Sequence, residues 1–127
     1  MIRLYINDET FAGQILNKVE LEFKTEEITV KELIAQRVEQ EVAKHNAEKK
    51  ERFTGFVSPQ EQELNQKTRK FKPVDAEKQV YVALDAFAKN GFFILHNERQ
   101  LESLEERITL HANDHFSFVK LTPLVGG

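Results

Sequence analysis

Val19-Glu20-Leu21-Glu22-Phe23-Lys24-Thr25-Glu26-Glu27-Ile28-Thr29-Val30-Lys31-Glu32-Leu33-Ile34 sets two hydrophobic periods side by side. In its first part Val19, Leu21 and Phe23 alternate with Lys18, Glu20, Glu22 and Lys24. Period two gives a strand with one dry face. The pattern then changes at a marked helix start. Thr29 and Glu32 have the spacing of a capping box, and Ile28 and Leu33 occupy the positions of a hydrophobic staple. Beyond it Val30, Ile34, Val38 and Val42 recur every four residues, with Leu33 beside them and Lys31, Gln36, Glu39 and Gln40 on the opposite side. This apolar stripe is expected to pack on the dry face of the strand.

Upstream, Ile2, Leu4 and Ile6 alternate with Arg3 and Tyr5, so the first strand and the Val19 strand form an antiparallel hairpin. Its loop, Asn7 to Asn17, carries Phe11, Ile15 and Leu16 and is expected not to be wholly solvent-facing. Downstream of Ala43 the helix turns polar and is expected to run on as a solvated extension, breaking near Phe53 to Gly55. Ser58-Pro59-Gln60-Glu61 repeats the capping-box pattern with proline at the first helical position, which predicts a short helix to about Gln66. Lys67 to Pro73 reads as a basic connector. Asp75 caps a further helix with Val80, Leu84 and Phe87 on one face, stopped by Asn90-Gly91. Phe92 to His96 is a short apolar run expected in the middle of a sheet, and Arg99-Gln100-Leu101 is a brief extended segment. Ser103 to Ala112 reads as a loop or single helical turn anchored by Leu104, Ile108 and Leu110. The last alternating run, His115 to Leu121, is the final strand.

At 127 residues the chain has the length of one domain with a single core. A net charge of −3 gives no general attraction to nucleic acid or anionic membrane. The absence of cysteine excludes a disulfide, a thiolate nucleophile or a thiolate metal site in this chain, so any thioester chemistry must use a partner's cysteine. No apolar run approaches bilayer length and the start lacks the pattern of a signal peptide, which points to the cytoplasm.

Leu121-Thr122-Pro123-Leu124-Val125-Gly126-Gly127 closes the sequence. Pro123 removes a backbone donor and biases Thr122 toward an extended conformation, so the sheet is expected to stop there and a stiff tail to leave it. A terminal glycine pair arises by chance roughly once in two hundred chains. Its chemical sense is clear nonetheless: two glycines remove side-chain bulk beside the terminal carboxylate and let an enzyme close a narrow channel around it. The bland reading is a frayed end with no role.

The element order, with Val19-Glu20-Leu21-Glu22-Phe23 before the capped helix, Arg99-Gln100-Leu101-Glu102 after the third strand and Leu124-Val125-Gly126-Gly127 at the end, resembles ubiquitin and its β-grasp relatives. The resemblance covers roughly residues 1–45 and 92–127. It implies an α+β ubiquitin-like β-grasp fold, a mixed sheet packed on one main helix, with a helical insertion between that helix and the third strand. The chain is then one domain, 1–127, with an insertion at about 52–91 that has no counterpart in ubiquitin and a flexible tail at 122–127.

The resemblance also implies a modifier rather than an enzyme. Its Gly127 carboxylate, presented with Gly126, would be adenylated by an activating enzyme that consumes ATP, passed to the catalytic cysteine of a conjugating enzyme, and joined to a target protein's amine. A deconjugating protease is a further implied partner. Ubiquitin has two arginines upstream of its glycines where this chain has Pro123 and Val125, so a dedicated activating enzyme reading Leu124, Pro123 and Val125 is expected, in a prokaryotic setting. Arg99 stands where ubiquitin has a chain-linking lysine, so that linkage cannot form. Phe11, Leu95 and Leu121 fall near ubiquitin's exposed hydrophobic patch and are the implied partner-binding surface. Two alternatives stand beside the modifier: a sulfur carrier that forms a thiocarboxylate on Gly127, and a ubiquitin-like binding module whose tail is incidental.

Other signals are weaker. His111 and His115 are four apart, but Asn113-Asp114 between them reads as a turn, so no metal site is expected. Lys44 to Arg52 and Lys67 to Lys72 are locally basic, with Phe53 and Phe71 near them, yet interspersed acids and the negative total favour a solvated face over nucleic-acid binding. The chain has no Gly-rich phosphate loop and no serine-centred triad pattern, and no cofactor of its own is expected.

Overall fold

Ile2, Leu4 and Ile6 of β1 (Ile2–Thr10) pair antiparallel with Phe23, Leu21 and Val19 of β2 (Ile15–Phe23), so the two alternating patterns turn their apolar residues to the same side. The computed structural model describes residues 1–48 and 73–120. After the hairpin come β3 (Glu27–Thr29), α1 (Val30–Glu48), α2 (Ala76–Ala88), β4 (Phe92–His96), β5 (Arg99–Leu101), β6 (Arg107–Thr109) and β7 (Phe116–Lys120). The main sheet has the order β2-β1-β7-β4-β5. β1 and β7 run parallel and every other pair is antiparallel. The last described strand thus sits in the middle of the sheet, beside the first.

The helix start is satisfied group by group. The Thr29 amide donates to Glu32 Oε1 at 2.9 Å, and the Glu32 amide donates back to Thr29 Oγ1 at 3.1 Å. The Val30 and Lys31 amides, which have no intrahelical partner, donate to the carbonyls of Glu106 and Leu104 at 3.0 Å each. Ile28 and Leu33 are both buried as a staple requires. Val30, Ile34, Val38 and Val42 are buried against Leu4, Ile6, Leu21, Ile94, Phe116 and Phe118 from the sheet, which places one core between α1 and the strands. This mixed sheet folded round a main helix, with α2 inserted between that helix and β4, is a β-grasp architecture.

α2 is built into this core. Asp75 accepts from the amides of Glu77 and Lys78 at its start. At its end Asn90 takes the left-handed conformation (φ 62°), the Gly91 amide donates to Ala86 O at 2.7 Å and the Asn90 amide to Phe87 O at 3.0 Å, which together make a Schellman motif. Its most buried residues are Gln79, Ala83 and Phe87, with Val80 and Leu84 half-buried at the margin, so the inward face is turned from the expected one. Phe87 meets Phe92 edge-on at 5.7 Å, and Phe92 stacks on Phe118 at 5.8 Å.

The structure differs from the sequence reading in three further places. The loop expected over Asn7 to Asn17 is mostly strand, because residues 6–10 gain backbone partners from β7 on their other side and need no alternating pattern to stay extended. Only a tight turn remains, with the Gly13 amide on Thr10 O and Gly13 at φ 92°. Phe11, Ile15 and Leu16 are 70%, 59% and 53% exposed, not tucked inward. Residues 107–109 of the expected loop form β6, paired antiparallel with Glu27 to Thr29. Finally, the polar end of α1 is not wholly solvated: His45 is buried, and Asn46 makes a two-bond clasp with the Val74 backbone at 2.8 and 3.1 Å. The expected break at Phe53 to Gly55, the short helix from Ser58 to Gln66 and the basic connector up to Lys72 lie outside the described residues.

Candidate functional site

Strand alternation divides the side chains of the sheet between two faces. Phe92 and Ile94 point toward α1, so Phe93 and Leu95 point away from it. Phe93 lies opposite Val119 on β7, and Val119 lies opposite Glu9 on β1, which puts all three on the outer face. At the hairpin tip, Phe11 meets the Phe93 ring edge-on with centroids 6.2 Å apart and planes at 87°. Of the expected partner surface, then, Phe11 and Leu95 share one face, bridged by Phe93 and by Val119. Leu121, and with it Pro123, Leu124, Val125, Gly126 and Gly127, lies outside the described residues.

Sequence reasoning missed Phe93 and Val119 as members of this surface. The signal was present, since Phe93 is two residues from Leu95 and so shares its face. It was masked because the whole run Phe92 to His96 is apolar enough to read as buried on both sides.

A polar group borders the apolar one. Ser117 lies opposite Leu95, and its hydroxyl donates to Glu9 Oε2 at 2.5 Å while His115 Nε2 stands 3.4 Å from the same hydroxyl. The carboxylate holds the serine rather than the histidine, so this is not the relay of a nucleophilic triad, in which the acid orients the base. At the far end of β4, Asn97 and Glu98 both take positive φ (49° and 73°) in the β4–β5 turn. That turn is tied to the start of β7. The Asn97 side chain donates to Asp114 at 3.0 Å and accepts the His115 amide at 2.8 Å, and His96 Nε2 lies 3.0 Å from Asp114. Burial pushes the Asp114 carboxyl up, but hydrogen bonds from Asn97, His96 and the His111 amide outweigh it and hold the group below its ordinary range.

Arg99, expected to stand where ubiquitin has a chain-linking lysine, forms an ion pair with Glu106 at 2.6 Å and so ties β5 to the loop that caps α1. That bond is the main reason the Glu106 carboxyl sits below its ordinary value. His111 belongs to a turn whose amide is taken by Asp114, and no group of three candidate metal ligands occurs among the described residues. No helix among the described residues is long and apolar enough to cross a membrane.

One buried feature had no counterpart in the sequence reading. Asp8, on the helix side of β1, is ion-paired with Arg37 of α1, and Arg37 also donates to Glu41 at 3.2 Å. Arg37 stands seven residues after Val30, on the buried stripe of α1, which is the sequence signal that could have found it.

Protein-family models, curated proteins and solved structures were each compared with this chain, and none matches it.

Proposed function

We propose that this chain is a ubiquitin-like protein modifier of prokaryotic type, acting in the cytoplasm as the cargo of a conjugation system. The observation that carries the reading is the combination of a β-grasp body with the Gly126-Gly127 pair a few residues beyond Lys120, the last residue of the central strand. Because β7 runs parallel to β1, its last described residue, Lys120, lies at the hairpin-tip end, opposite Thr10 and beside the place where Phe11 leans on Phe93. On this reading an activating enzyme engages the apolar surface of Phe11, Leu95 and Leu121 and takes Pro123, Leu124 and Val125 as the tail's recognition elements.

The chemistry requires the partners. A terminal carboxylate with a pKa near 3.5 is ionised at neutral pH and does not acylate amines. Attack of the Gly127 carboxylate on the α-phosphorus of ATP expels pyrophosphate and gives an acyl-adenylate. A partner's cysteine then displaces AMP to form a thioester, and a target amine displaces the thiol to form the amide. This chain has no cysteine and contributes only the acyl group.

The test is ATP–pyrophosphate exchange with the cognate activating enzyme. Gly126→Ala and Gly127→Ala add a methyl where the channel is narrowest and should abolish exchange, while thermal stability of the body stays unchanged. Near-wild-type exchange from a chain lacking both glycines would overturn the proposal. The intact mass of chain purified from its host separates a modifier from a sulfur carrier, because only the latter shows oxygen replaced by sulfur at Gly127.

A further inference from the structure

Asn90-Gly91 is the one asparagine–glycine pair in the sequence. Such a pair carries its own reaction. The glycine's backbone nitrogen attacks the asparagine Cγ, ammonia leaves and a five-membered succinimide forms; water then opens either of its carbonyls to give an aspartyl or an isoaspartyl linkage. Glycine suits the attack because it has no side chain to shield its nitrogen and few limits on its backbone angles. Both residues are exposed, and among the described residues the Asn90 carboxamide has no hydrogen bond. Asn46 and Asn97 contrast with it. Asn46 has both carboxamide atoms on the Val74 backbone, Asn97 has its own on Asp114 and the His115 amide, and each precedes a residue with a side chain.

What restrains Asn90 is the C-terminal cap of α2. The attacking Gly91 nitrogen donates to Ala86 O at 2.7 Å, while Asn90 holds the left-handed conformation at φ 62°. Both must be given up before that nitrogen can turn on Asn90 Cγ. The cap also selects the reactive partner, because a Cβ on residue 91 would meet Ala86 O at 3.1 Å. Helix ends are among the parts of a fold that open most cheaply. Phe87 is the buried side chain of the last turn of α2, and its ring meets Phe92 at 5.7 Å, so this contact sets how often the cap opens.

We propose that Asn90-Gly91 is a self-modification site, a slow one-way switch in which opening of the α2 cap lets the succinimide form and its hydrolysis locks the cap open. An isoaspartyl linkage routes the main chain through the former side-chain methylene, which lengthens it by one carbon, about 1.5 Å of path. Phe92 cannot take up that length, since it stacks on Phe118 at 5.8 Å and pairs with Lys120. The cap gives instead. Either product also leaves a carboxylate at the negative end of α2, whose last turn holds no basic residue, so closing again is disfavoured. The loosened stretch runs into Phe93 of the outer apolar surface. The reaction consumes only water and releases ammonia, so the proposal stands whether or not the chain is a conjugated modifier.

The experiment ages the full-length protein in mildly alkaline buffer, folded and in guanidinium chloride, and follows the peptide carrying Asn90 by mass spectrometry. Methyl transfer by an isoaspartyl-specific methyltransferase reports the isoaspartyl product. Folded protein should convert about tenfold or more slowly than unfolded, by the factor that hydrogen exchange gives for protection of the Gly91 amide, yet faster at Asn90 than at Asn97 or Asn113. Asn90→Gly keeps the left-handed cap and should give no product here. Phe87→Ala should speed conversion in the folded state several-fold and leave the unfolded rate unchanged. Aged protein, separated by its added negative charge, should show amide shifts from Phe87 to Phe93. The proposal is overturned if folded and unfolded protein convert at the same rate, if Asn90 in the folded protein converts no faster than Asn97 or Asn113, or if the aged protein keeps the parent's spectrum at Phe92 and Phe93. It is equally overturned if the folded-to-unfolded ratio departs from the Gly91 protection by more than about tenfold. That last comparison needs no variant, so it decides the matter where Phe87→Ala does not fold.

Discussion

Removing the Arg37 side chain should cost more than any exposed ion pair of the molecule can supply. The side chains of Asp8 and Arg37 are 5% and 3% exposed, and among the described residues Asp8 Oδ1 and Arg37 Nε have no hydrogen-bond partner, so the pair sits where water cannot replace a lost charge. Arg37→Ala leaves the Asp8 carboxylate buried opposite Phe118 of β7 without the cation it pairs with. Breaking a buried pair in this way costs about 3–5 kcal/mol. For a domain of this size that is on the order of 10–20 °C in Tm. Replacing both members, as in Asp8→Val, Arg37→Met, removes the desolvation penalty along with the attraction and should cost about 1 kcal/mol or less. The assay is urea denaturation of the four members of the cycle at neutral pH, followed by circular dichroism. The coupling energy should be large and of the sign that makes the double variant milder than Arg37→Ala alone. An Arg37→Ala variant within about 0.5 kcal/mol of the parent, the range of ordinary surface substitutions, would refute the buried-charge argument.

Two further predictions concern the body. Asp114 and Glu106 have folded-state pKa values below their unfolded ones, so each adds stability that is fully present above the unfolded carboxylate range and is lost as pH falls through it toward the folded values. The urea midpoint should therefore hold steady from neutrality to about pH 5 and drop below about pH 4, and Asp114→Asn should flatten that drop; an unchanged acid limb would refute it. Ile34 and Leu21 are buried on the facing sides of α1 and β2, and truncating either to alanine should cost about 2–5 kcal/mol in the same urea measurement. A loss below about 1 kcal/mol for both would mean that the core does not centre on this contact.

How far the fold could be read in advance depended on whether a segment's partners lay close in sequence. Thr29, Glu32, Ile28 and Leu33 satisfy one another within a single turn, so the helix start was fully legible. The same holds for the Asp75 cap and for the alternation of Ile2 to Ile6 and Val19 to Phe23. The polar pattern of residues 7–10 gives a loop on its own, and what keeps them extended is β7, more than a hundred positions away. Arg107 to Thr109 fails to look like a strand for the same reason. Its partner β3 has only three residues, too few for a period to show.

The candidate surface shows the limit from the other side. Alternation within β4 gives Phe93 and Leu95 a common face, yet nothing local says that Val119 lies opposite Phe93 or that Phe11 reaches it. Those neighbours follow from the pairing of β7 with β4 on one side and with β1 on the other, between segments far apart in sequence. The same pairing places the end of β7. Lys120, the last described residue, stands opposite Thr10 at the hairpin tip, the end of the sheet where Phe11 leans on Phe93. On the proposed reading, an enzyme that grips the body at the Phe11–Phe93 surface is held at that same end of the sheet. The central position of β7, paired on both sides and buried along Phe116 to Val119, is the physical feature that holds Lys120 rigidly at that end.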